Sequence, residues 1–199
     1  MPAGEQQAWG ILAGLDPHDV CVRADAAFDS SSGLYILRSF SQDIFVSPGD
    51  KTIFGHTPPA DMLLNKLNRY SRLPILWYLI GAQNVPLSGE LIKPSSLSGG
   101  QIYEKGTHVL PLDRIAEEYG SDVPEFLSRG LKLGGEPLRY GDASVQLFPF
   151  PRVAVTLLLW RGDGEFPSRT DLLLDSTCEL HLPADIIWST AMMCALVML

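Results

Sequence analysis

The chain has 199 residues, the size of one ordinary domain, and can bury a core without disulfide staples. Its 46% hydrophobic and 19% charged residues suit a globular protein. A formal net charge of −8, with 15 scattered Lys and Arg, argues against a general nucleic-acid binder, which neutralises phosphates with clustered cations.

Cys21, Cys178 and Cys194 lie far apart and form no Cys-x-x-Cys pair. They make neither a disulfide framework nor a complete zinc or iron–sulfur motif, and read as free thiols in a reducing, cytoplasmic setting. The opening M-P-A-G-E-Q-Q-A-W has no positive and no apolar region of the signal-peptide kind.

Trp9, Leu12 and Leu15 predict a first helix over 4–14. Asp16 then Pro17 is an N-cap followed by a first-turn proline, which predicts a second helix from 17 to about 26. D-S-S-S-G at 29–33 is a turn cluster. Three strand-like runs follow at 34–40, 43–47 and 51–54, broken at Ser41-Gln42 and at P-G-D, and their spacing predicts an antiparallel meander.

Thr57-Pro58-Pro59 opens a helix carrying Leu63, Leu64 and Leu67. Pro74 should kink it or start a new one. I-L-W-Y-L-I-G-A at 75–82 is apolar all round, as a central core helix is. Residues 83–100 read as loop with one strand at 90–93. From Gln101 the pattern is helical, broken at Gly106 and Pro111, and resumes with Leu112, Ile115, Ala116 and Tyr119. Asp122 caps a helix over 123–133 that Gly134-Gly135 stops.

Strands are predicted at 137–140, 144–150 and 153–160, the last apolar at nearly every position and hence interior, with a short one at 172–174. L-P-A-D at 182–185 begins the last helix. Its 186–199 tail is free of charge but shorter than the ~20 residues of a membrane span, so it reads as a core helix, with a tail anchor as the lesser alternative. No repeat or linker divides the chain. The expectation is one α+β domain over 1–199, with a mostly antiparallel sheet (an N-terminal meander plus C-terminal strands) and packed helices.

Between the strands at 153–160 and 172–174, a hairpin loop of ~2–5 residues is the norm. Here 161–170 intervenes, with Arg161, Asp163, Glu165 and Arg169 interleaved by Gly162 and Gly164. Phe166 and Pro167 favour a folded-back loop, which places two carboxylates, Asp163 and Glu165, at the end of a buried strand.

W-R-G-D-G-E-F-P, then L-L-L-D, then L-P-A-D before an apolar helix, resembles a domain-of-unknown-function family of anaerobic bacteria and archaea with the signature W-x-G-D-x-E-F-P. Y-L-I-G-A at 78–82, S-G-G at 98–100 and L-G-G-E-P at 133–137 are similar to further landmarks of that family. Leu174 stands before Asp175 where the family carries phenylalanine. The resemblance implies no settled activity. Some relatives carry an N-terminal four-cysteine iron–sulfur domain like that of corrinoid iron–sulfur proteins. This chain has no cluster of cysteines, so that role does not carry over.

Several constellations have a sharp and a plain reading. Asp163 and Glu165 form either a metal or acid/base pair, or a turn whose carboxylates cap backbone N–H groups or pair with Arg161 and Arg169. Cys178 and His181, with Asp175 before them, are ligand types for zinc or iron, and Asp163 or Glu165 folded over them would complete four. The plain reading there is a surface turn. Ser95, Ser96, Ser98, Gly99 and Gly100 precede a helix, as anion sites do, but Lys105 is misplaced for a P-loop. His18, His56 and His108 are isolated, and no G-x-S-x-G elbow exists. Trp77, Tyr78, Trp160, Phe166 and Trp188 would line a flat-cofactor pocket or, more plainly, the core.

The leading expectation is a non-catalytic binding or accessory protein of anaerobic cofactor or one-carbon metabolism, linked to corrinoids by the resemblance. Its contact residues would be Trp160, Arg161, Asp163, Glu165, Phe166 and Asp175, for an unidentified protein or small molecule and not for a nucleic acid or membrane. The alternatives are an enzyme using Asp163 and Glu165, and an interaction module whose C-terminal helix docks a partner or a second copy as a homodimer. The cofactor is unknown on every reading.

Overall fold

The computed structural model describes residues 3–98, 109–163 and 165–199. The helical pattern from Gln101, with Lys105 and His108, and the Gly99-Gly100 pair lie outside them, as does Gly164.

Helices α1 (Ala3–Leu12) and α2 (Pro17–Ala24) come first. The Asp16 carboxylate caps α2 by accepting the His18 N–H at 2.9 Å. Asp25, in the left-handed region at φ 50°, ends the helix without a glycine and turns the chain into β1 (Ala27–Asp29). That strand is missed by the sequence reading because a non-glycine cap gives no stop signal. Strands β2 (Leu34–Ser39), β3 (Gln42–Ser47) and β4 (Thr52–Phe54) complete an antiparallel sheet in the order β1-β2-β3-β4.

The β2–β3 turn is two residues, Phe40 and Ser41, both at positive φ. Such a turn usually holds Asn or Gly. Phe40 adopts it because its ring is buried and its N–H donates to the Phe148 carbonyl at 3.0 Å, tying this sheet to the second one. Gly134, at φ +76°, closes over the same turn, where a Cβ would lie 1.7 Å from the Ser41 Oγ.

Helix α3 (Pro58–Asp61), capped by Thr57, runs into a π turn (Met62–Lys66) and then α4 (Asn68–Gly81). The break therefore falls at Leu67, and Pro74 rides inside α4 rather than starting a helix. Strand β5 (Leu91–Ile92) and a 3-10 turn (Pro94–Ser96) follow, then α5 (Leu112–Tyr119) and α6 (Val123–Lys132).

Strands β6 (Glu136–Leu138), β7 (Ala143–Phe150), β8 (Val153–Trp160) and β9 (Arg169–Asp175) join β5 in a second antiparallel sheet, ordered β5-β9-β8-β7-β6. Every β8 residue except Trp160 is buried, as its apolar run predicts. A short helix α7 (Cys178–His181) precedes α8 (Ala184–Met198).

Helix α8 is buried nearly all round and belongs to the core, so it presents no free oily face to a partner. Its C-terminal carbonyls are closed off by Arg129, which donates to Val197 O at 2.6 and 2.9 Å, and by the Tyr119 hydroxyl, which donates to Met198 O. Among the described residues no helix is long and apolar enough to cross a membrane. The fold is α+β, with two antiparallel sheets and packed helices.

Candidate functional site

Strand β9 has two ends, and the residues singled out from sequence divide between them. At the corner end, the Asp163 carboxylate accepts the N–H of Glu165 at 3.0 Å and of Phe166 at 2.9 Å. These bonds hold its pKa below the ordinary aspartate value in an exposed position. The Asp163 N–H donates to Phe166 O at 3.2 Å, which closes the loop on itself. The Arg161 N–H donates to Asp142 at 2.8 Å. Among the described residues Arg169 forms no ion pair with either loop carboxylate: its guanidinium lies over the Trp160 ring at 4.9 Å and 3.8 Å from Asp171. The Trp160 indole N–H donates to Asp171 at 2.8 Å. The loop is folded back through the Asp163 bonds, while the Phe166 side chain stays 65% exposed.

At the other end lies Asp175, 1% exposed. Burial alone would raise its pKa. Hydrogen bonds outweigh it and hold the pKa below the ordinary value. The carboxylate accepts from Thr177 N–H and Oγ1, Ser88 N–H and Oγ, and Gly89 N–H at 2.6–3.2 Å. It is a structural tie between the loop before β5 and the turn after β9.

Cys178 and His181 are also buried, so they sit in a packed helix and not in the expected surface turn. His181 Nδ1 accepts the Gln83 N–H at 3.3 Å, so Nε2 carries the proton, and Nε2 has no partner among the described residues. Burial and the nearby Arg152 lower the His181 pKa, against the pull of Asp175. Burial pushes the Cys178 thiol up to about 12.

A seven-residue strand separates the two ends by about 20 Å, so Asp163 and Glu165 do not reach Cys178 and His181. Among the described residues no group of three or more His, Cys, Asp or Glu is placed to hold a metal ion.

The aromatic set is dispersed as well. Tyr78 stacks on Phe150 at 4.6 Å in the core, and Trp188 packs edge-on to Tyr70 at 5.8 Å. Trp77 is half-buried against the core, and Trp160 lines a cavity.

That cavity is a groove of about 670 Å3. One side is five consecutive β9 residues, Arg169 to Leu173, with Leu158 and Trp160 of β8. Val109, Leu110, Leu112 and Asp113 form the opposite wall, and Lys93, Pro94 and Ser95 close one end. Its size is within the ~300–1,000 Å3 of small-ligand sites. The Thr170 hydroxyl, on a residue 7% exposed, has no hydrogen-bond partner among the described residues. Sequence reasoning reached Trp160 and Arg169 but missed the groove, whose walls come from segments about 60 residues apart.

A family model described as a domain of unknown function, DUF3786, matches residues 16–196. The chain belongs to the DUF3786 family. No curated protein and no solved structure matches it. In this DUF3786 protein, the W-R-G-D-G-E-F-P run from Trp160 to Pro167 forms the corner beside the groove.

Proposed function

We propose that this DUF3786 protein is a non-catalytic binding or accessory protein whose contact site is the β8–β9 groove. The observation that carries this reading is the groove itself: leucines of β8, β9 and α5 interleaved with Lys93, Asp113 and Asp171 around a buried Thr170 hydroxyl that has no partner among the described residues, with Trp160 and Arg169 at one rim. Arg161, Asp163, Glu165 and Phe166 continue that rim as exposed surface. Apolar walls with a few convergent polar groups are what a binding cavity needs.

The anaerobic, one-carbon setting rests on the resemblance of the W-R-G-D-G-E-F-P and L-P-A-D runs to their family. A corrinoid stacked on Trp160 is not favoured, since Arg169 already covers a face of that ring. A catalytic carboxylate pair is less favoured still. An acid/base couple needs one carboxyl raised by burial, whereas Asp163 is exposed and lowered by its two N–H bonds.

The test is affinity capture from an extract of an anaerobe grown on one-carbon substrates, on immobilised protein and on the Leu173→Arg variant. Leu173 lines the groove and is half-buried, so a charged side chain there fills the cavity at small cost to the fold. A component retained by the native protein and lost on Leu173→Arg supports the reading. Retention that Leu173→Arg does not alter, or no retention, overturns it.

A further inference from the structure

On the outer edge of β9, two buried residues have no strand opposite them among the described residues. The Leu159 carbonyl accepts the Asp142 N–H at 3.0 Å, so the polar groups of Leu159 point toward β7. Leu159 stands opposite Thr170. The two therefore form a non-hydrogen-bonded pair, and the N–H and C=O of Thr170 point away from β8. The same parity carries to Leu172 and Leu174.

An independent bond at the other end agrees: Ser176, two residues past Leu174, donates its N–H to Glu90 O at 2.9 Å on that outer side. Strand β5 meets the edge at Leu174 and Asp175 and stops there. Among the described residues, no strand lies opposite Thr170 or Leu172 on the outer side. Both residues are buried and both line the groove. Five consecutive β9 residues line it because the groove is seen from the strand's edge.

We propose that the groove takes an extended peptide segment of a partner protein, which adds to β9 as a strand in line with β5. This rests on reading the groove as the contact site. Two N–H and two C=O groups repeating about every 6.8 Å match a second strand and fit a compact small molecule poorly. Residues opposite Thr170 and Leu172 would share their face and meet Leu110, Leu112 and Leu172, so apolar side chains fit there. The residue between them would lie beside Asp171, with Arg169 and Lys93 near the two ends, so a polar side chain fits there. The ligand class is thus a segment of about five residues with apolar and polar side chains alternating.

The probe is a positional library of blocked pentapeptides, apolar at positions 1, 3 and 5, read by amide hydrogen exchange of the whole protein. In the free protein, Thr170 and Leu172 amides should exchange fast, and those of Asp171 and Leu173, bonded to β8, slowly. A binding peptide should slow Thr170 and Leu172 at least tenfold and leave Asp171 and Leu173 unchanged. The same peptide N-methylated at its apolar positions should lose binding.

Thr170→Pro removes one edge N–H without touching the β8 ladder and should abolish peptide binding, whereas Thr170→Val should keep it. Slow exchange at Thr170 and Leu172 in the free protein overturns the proposal. So does the absence of any protecting peptide, or equal binding by the N-methylated one. A ligand lost on Leu173→Arg but kept by a folded Thr170→Pro, with no edge protection, would leave the groove as the site and remove the peptide.

Discussion

At the corner end of β9, Asp163 sits in water and accepts two N–H groups of its own loop. At the far end, Asp175 is buried and accepts from three separate residues on two segments. Both carboxylates have lowered pKa values, yet the consequences differ. Asp163 shapes a turn that solvent would otherwise satisfy. Asp175 is itself buried and draws in donors from two segments, exposed Ser88 and Gly89 and half-buried Thr177. A depressed pKa alone therefore says little about a carboxylate's role; its own burial, and whether its partners lie on one segment or two, decide what is lost when it goes.

The largest effect that would test this contrast is Asp175→Ala. It unties the loop of Ser88 and Gly89 from the turn at Thr177 and empties a buried position, and should cost about 2 kcal/mol, read as a lower urea midpoint at unchanged m. A loss under about 1 kcal/mol would erase the difference between the two ends.

Acid comes next. His181 has a folded pKa below its unfolded value, so the unfolded chain binds the extra proton. Stability from this group is complete above about pH 6.5 and falls as pH drops below it. Asp175 behaves likewise from about pH 4 downward, where protonation removes the acceptor. A thermal midpoint that is flat between pH 7 and 5, or a slope that survives in His181→Asn, would remove His181 from the buried end.

The thiols give a smaller test. Cys21 is half-buried, whereas Cys178 and Cys194 are buried with strongly raised pKa values. Iodoacetamide should label Cys21 first and the other two only on unfolding, as mass spectrometry would show. The smallest effect belongs to Asp163→Ala, which should leave the urea midpoint within error because the freed N–H groups turn to water. A clear loss there would mean that the corner supports the fold.

Much of the architecture was legible from short stretches. The turn signals after Gly33 and around Pro48 marked the meander, and the apolar run from Val153 to Trp160 marked an interior strand. Asp16 and Asp122 both cap the helices they were read to cap. Misreadings came where a local signal met a tertiary one. Of the two expectations at Pro74, a new helix does not start there: the break falls at Leu67 and Pro74 is carried inside α4, which packs against α1 and α8. Strand β9 begins three residues before its apolar core, since pairing with β8 extends it to Arg169 opposite Trp160.

The candidate site was half legible. Trp160 and the corner stood out by composition, but the sequence reading joined the corner to Asp175, Cys178 and His181, which β9 holds at its opposite end. By itself the sequence determined where strands and helices form, because periodicity, caps and turn residues act within a few positions of one another. Only the tertiary structure decided that Cys178 and His181 are buried, that Asp175 ties two loops, and that among the described residues no strand pairs with Thr170 and Leu172 on the outer side of β9. Burial and strand parity depend on which distant segment packs alongside, and no local pattern in β9 records the point at which β5 stops.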